Sequence, residues 1–109
     1  MHWSELEPDE LRPLWAAVTA PAGALERMTS VNLYAQYKLK GEIEGALPGL
    51  GRCTALQTLS LRECIGLSGA IPESLGQCAA LQTLNLDGCE GLSGAIPESL
   101  RKVPRLSLP

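Results

Sequence analysis

Few residues in this chain could do chemistry, and four of them are thiols: Cys53, Cys64, Cys78 and Cys89. Ten, thirteen and ten residues separate neighbouring cysteines, whereas zinc sites favour two close ligands in a C-x₂₋₄-C pair. An even cysteine count in a short chain points to disulfides only in a secretory context. The N-terminus, MHWSELEPDE, is acidic and lacks the apolar segment of a signal peptide. The four thiols therefore read as small buried hydrophobes. The only histidine, His2, would have to reach a buried thiol from a frayed terminus to make a Cys–His nucleophile pair. Ser74 and Ser99 stand beside carboxylates without a base partner. Gly66, Gly69, Gly91 and Gly94 recur at a fixed interval and read as turns, not as a phosphate-binding loop. The chain is expected to be no enzyme, with no metal and no cofactor.

The fixed interval is the organising feature. LSGAIPESL at Leu67–Leu75 returns letter for letter at Leu92–Leu100, 25 residues later. LQTL at Leu56–Leu59 returns at Leu81–Leu84, Cys53 maps to Cys78, and Cys64 maps to Cys89, with the same shift. A period of about 20 to 50 residues marks a stacked array whose units bury apolar edges against one another. Leu59 and Leu61 alternate with Thr58, Ser60 and Arg62, the period-two pattern of a half-buried strand. Pro72 and Pro97 suit the first position of a short helical turn, and Glu73 and Glu98 suit its dipole. A degenerate earlier unit is reached by a 28-residue shift, which places Met28, Val31 and Leu33 under Leu56, Leu59 and Leu61. Gln36 then stands where Cys64 and Cys89 turn the chain, and a short insertion falls around Glu44 to Gly49. Val103 aligns with Cys78 and Leu106 with Leu81, so a fourth unit is expected to begin at Leu106. Ahead of the array, Leu11, Leu14, Trp15 and Val18 form one apolar stripe on a helix over about Asp9 to Val18. With Trp3 this segment reads as a cap over the first unit.

Residues Leu56 to Leu100 resemble the leucine-rich repeat family, whose frame is L-x-x-L-x-L-x-x-(N/C)-x-L. The LSGAIPESLGQC continuation resembles the class common in plant receptors and receptor-like proteins. Two features depart from that class. The usual Asn of the turn is Cys here, and one extra residue (Gly66, Gly91) lengthens each unit to 25. The cysteine pairs that flank secreted members are also missing. The resemblance implies an α/β fold: a short leucine-rich-repeat solenoid with a parallel concave-face sheet, turns and short helical segments on the convex side, and an N-terminal helical cap. The division is 1–27 for the cap and linker, 28–105 for about three repeats, and 106–109 for the start of a truncated fourth.

The family's usual role is to bind proteins or peptides on the concave face. On the strand pattern, that face carries Ser30, Asn32, Tyr34, Thr58, Ser60, Arg62, Glu63, Thr83, Asn85 and Asp87. Tyr34 and Arg62 are the strongest individual candidates, because Tyr and Arg are over-represented in binding hot spots. The plainer account of the same row is a solvated polar face, which any such sheet needs. A net charge of −3 without a Lys/Arg cluster argues against nucleic acid. No apolar run approaches the ~18 residues that span a bilayer. The expected partner is a protein or peptide, with self-association through the uncapped last strand. The resemblance suggests the recognition part of a signalling or receptor-like protein; the alternative is a structural segment of a longer solenoid with no ligand of its own. The expected compartment is cytoplasmic if Met1 is the true start, and extracellular if the chain is a fragment of a receptor-like protein.

Overall fold

The computed structural model describes residues 2–3, 19–36, 39–93 and 96–108. Its main element is a five-stranded parallel sheet. The strands are β1 (His2–Trp3), β2 (Ser30–Tyr34), β3 (Thr58–Arg62), β5 (Thr83–Asn85) and β7 (Arg105–Ser107), in the order β1-β2-β3-β5-β7. Alternation sets the two faces. Val31, Leu33, Leu59, Leu61 and Leu84 turn inward and are fully buried, while their neighbours face out. Burying each of these side chains contributes about 1.5–3 kcal/mol relative to exposure. A one-residue slip would turn the whole set to solvent, so the leucines fix the register.

Ser30 pairs with Thr58, and Val31 with Leu59, at the 28-residue offset. Thr58 pairs with Thr83 at 25. The last step corrects the sequence expectation: Leu106 pairs with Leu84, not with Leu81, so the offset is 22. Pro104 alone stands between Val103 and Arg105 where four residues, Ala79 to Gln82, stand between Cys78 and Thr83, so three residues are skipped there. The strand begins at Arg105, and Val103 keeps the expected place of Cys78: its N–H donates to the Leu100 carbonyl as that of Cys78 does to the Leu75 carbonyl. The physical reason is packing, because this register sets Leu106 beside the fully buried Leu84 at the edge of the core.

At the other end, His2 pairs with Ser30 and Trp3 with Val31. Their backbone is a strand at the sheet's edge, where the sequence suggested a frayed terminus. The expected cap helix over Asp9–Val18, with Leu11, Leu14, Trp15 and Val18, lies outside the described residues.

Short elements run along the opposite side of the core. They are α1 (Ala24–Arg27), α2 (Ile43–Ala46), and 3₁₀ turns at Leu50–Arg52, Glu73–Gln77 and Glu98–Leu100. Helices of four residues cannot persist alone. They are held by the side chains they bury: Leu25, Ile43, Ala46, Leu50, Leu75 and Leu100. Pro72 and Pro97 precede their turns in extended conformation, one position earlier than expected. A second, two-stranded parallel sheet joins β4 (Gly69–Ala70) to β6 (Leu92–Ser93), and Gly41 bridges to Leu67. These pairings have offsets of 23 and 26, two fewer than the main sheet in both steps. A stagger of two residues keeps side chains on the same face, because two is the period of a strand.

One apolar core fills the space between the two sides. Leu39, Leu47, Leu67, Leu75 and Leu86 are fully buried, whereas Ile96 and Leu106 are only partly covered. All four cysteines are free and buried. The Cys78 thiol donates to the Leu50 carbonyl at 3.2 Å and the Cys89 thiol to the Leu61 carbonyl at 2.9 Å. Each tie joins residues 28 positions apart, so one turn of chain is fastened to the one before it. Gln36 occupies the equivalent place in the first turn. Its Nε2 donates to the Tyr34 carbonyl at 3.1 Å, and its buried Oε1 has no partner among the described residues.

Candidate functional site

The outward positions of the main sheet form three rows across the strands. The first holds Ser30, Thr58, Thr83 and Arg105, and the second holds Asn32, Ser60, Asn85 and Ser107. Tyr34 and Arg62 pair in the third, and Asp87 follows two residues after Asn85. All ten positions singled out from the sequence are exposed or half-exposed. Nine stand in these rows. Glu63 does not, because it lies just beyond β3 in the left-handed region, at φ 58. Two residues of the face were missed: Arg105 and Ser107, both exposed. The signal that could have found them is the match of RLSL to TLNL, which requires the 22-residue shift.

The C-terminal edge of the face carries its most distinctive geometry. The Arg62 guanidinium carbon sits 5.6 Å from the centre of the Tyr34 ring, a cation–π contact worth about 0.5–1 kcal/mol at an exposed site. Tyr34 is 43% exposed in spite of it. Beyond the strands the ladder continues through loop backbone: the Ala35 N–H donates to the Arg62 carbonyl at 2.9 Å, and the Glu63 N–H to the Asp87 carbonyl at 2.7 Å. On β5 the Asn85 side-chain oxygen accepts the Asp87 N–H at 3.0 Å. That local bond ends the strand after three residues, where β2 and β3 run for five. It also ties the Asn85 oxygen to its own turn.

The thiols are poor candidates for chemistry. Burial pushes Cys53 up to about 12, and Cys64 and Cys78 up to about 11; it raises Cys89 as well. A reactive cysteine needs a lowered value and access. The side chain of His2 lies outside the described residues. Among the described residues no group of three or more His, Cys, Asp or Glu side chains is placed to hold a metal ion. No described helix is long and apolar enough to cross a membrane. A groove of about 380 Å³ opens beside the skipped segment, lined by Leu75, Leu81, Leu100 and Val103 with Gln82 and Lys102 at its border. No family model, curated protein or solved structure matches the chain.

Proposed function

We propose that this chain is a short leucine-rich repeat solenoid that binds a protein or peptide across the exposed face of its main sheet and does no catalysis. The observation that carries this reading is a contrast between the two faces of the same strands. The inward positions repeat as Val or Leu from strand to strand. The outward positions stay small and neutral in the first two rows over β2, β3 and β5 but differ in kind at the C-terminal edge, where Tyr34, Arg62 and Asp87 follow one another from strand to strand. A constant core under a variable face suits recognition by a rigid surface. The stacked Tyr34–Arg62 pair supplies the residue types that anchor interfaces, already held in place.

Selection of a random dodecapeptide display library on the immobilised chain tests this. Enriched peptides are expected to lose about tenfold or more in affinity on Tyr34→Ala or Arg62→Ala. Both sites are exposed, so stability should stay within about 0.5 kcal/mol. Peptides that bind both variants as well as the parent chain would move the site elsewhere. A library that enriches nothing would favour the alternative, a structural segment without its own ligand.

A further inference from the structure

The C-terminal edge of the face is divided by charge, and the division runs across the strands. Arg62 leans back toward β2, where its guanidinium lies over the Tyr34 ring. Glu63, the next residue, leans the other way. Its side chain lies over Gly88 in the following turn, so that a Cβ built on Gly88 would come within 2.6 Å of Glu63 Cγ. The Glu63 and Asp87 backbones are themselves hydrogen-bonded, and Asp87 is exposed and Glu63 half-exposed, so this end of the face carries two acidic residues close together. Among the described residues neither carboxylate has an ion-pair partner, and the Arg62 guanidinium has the Tyr34 ring alone. The rows behind them are neutral over β2, β3 and β5: Asn32, Ser60 and Asn85, then Ser30, Thr58 and Thr83.

Resting on the binding role proposed above, we infer that the partner is an extended peptide segment that crosses the C-terminal ends of the strands, with an acidic side chain at Arg62 and a basic one at Glu63 and Asp87. Charge complementarity selects this occupant. A carboxylate can take the guanidinium N–H groups edge-on while the ring holds its face, a geometry in which Arg binds bidentately. An ammonium or guanidinium on the far side relieves the repulsion between the two carboxylates. Uniformly acidic or uniformly basic segments meet like charge at one end. Arg62 is on β3 and Asp87 follows the adjacent β5, strands about 4.8 Å apart, and the lean of Arg62 over Tyr34 widens the separation toward roughly 10 Å. An extended peptide rises about 3.3 Å per residue, which sets the acid and the base about two to three residues apart.

The charge pattern of the selected dodecapeptides decides the matter. The intact chain is expected to enrich peptides with one acidic and one basic residue at that spacing, and their affinity should fall as salt is raised. Arg62→Glu should weaken them by about tenfold or more. A fresh selection on Arg62→Glu should replace the acid by a base, whereas Arg62→Lys keeps the original preference. Asp87→Lys should remove the demand for the base. Enriched peptides with no charge pattern, or an acidic preference unchanged in Arg62→Glu, would overturn the inference and leave the binding role standing, provided that the peptides still need Tyr34. Failure to enrich any peptide would overturn both. Unchanged melting curves for the exposed-site variants separate lost binding from lost fold.

Discussion

At the residue scale, the backbone shows an equivalence that side chains conceal. Ala35, Glu63 and Gly88 follow their strands at offsets of 28 and 25, and all three sit at positive φ, 55, 58 and 78. Only glycine enters this region without a steric penalty. Glu63→Gly is therefore expected to stabilise the fold by about 1 kcal/mol, reduced somewhat by the greater freedom of the unfolded chain. Urea unfolding measures it, and an unchanged or lower midpoint would show that the Glu63 side chain holds the turn. The thiols give a second prediction. Their folded values lie above the ordinary 9.0 because burial disfavours the thiolate. Between pH 9 and about 11–12 the unfolded chain has shed thiol protons that the folded chain retains. The unfolded state then binds fewer protons, and stability falls as pH rises. Below pH 9 both states keep the protons and the contribution is complete. A denaturant series from pH 8 to 11 should show a declining midpoint, and a thiol reagent at pH 8 should label the chain only after unfolding. The burial of all four cysteines was legible from their spacing alone. The carbonyl partners of Cys78 and Cys89 were not, because Leu50 and Leu61 are brought close only by the stacking of one turn on another.

At the element scale, the legible parts were those with enough residues to carry a period. β2 and β3 show the alternation over five positions, and their pairing follows from matching leucines. The two-residue strands β1, β4 and β6 are too short for any pattern; backbone contacts between neighbouring turns create them. The turn around β6 depends on a close approach that sequence cannot display. A Cβ on Gly91 would collide with the Leu67 carbonyl oxygen of the preceding turn. Gly91→Ala must push the β4 and β6 backbones apart, at a cost of about 2 kcal/mol. Gly45, inside α2, has no atom within 4 Å of its would-be Cβ. Gly45→Ala should raise stability by about 0.5–1 kcal/mol through helix propensity. Thermal melts of the two single variants should shift in opposite directions. A pair of shifts with the same sign would contradict the packing described for this side of the molecule.

At the scale of the whole molecule, the offsets between successive strands of the main sheet are 28, 25 and 22 residues. The sheet stays in register while the opposite side thins, from α2 with its turn to a five-residue 3₁₀ turn and then a three-residue one. The first shortening was visible in the exact 25-residue copy. The second was not, because Leu100, Val103 and Leu106 satisfy the apolar pattern in either alignment and only packing chooses between them. The equal 25-residue spacing of Thr58 and Thr83 has a consequence for construction. A segment that begins at Thr58 and ends at Gln82 leaves and re-enters the chain at equivalent points, since Gln57 and Gln82 each hand their carbonyl to the next strand's backbone. The chain can be treated as having a removable cassette. Duplicating residues 58–82 in tandem should give a folded protein with one more strand and a higher denaturant midpoint, because each added unit contributes its own stability and one more interface. A longer chain that unfolds earlier than its parent would mean that the taper, and not the unit, is what holds the molecule together.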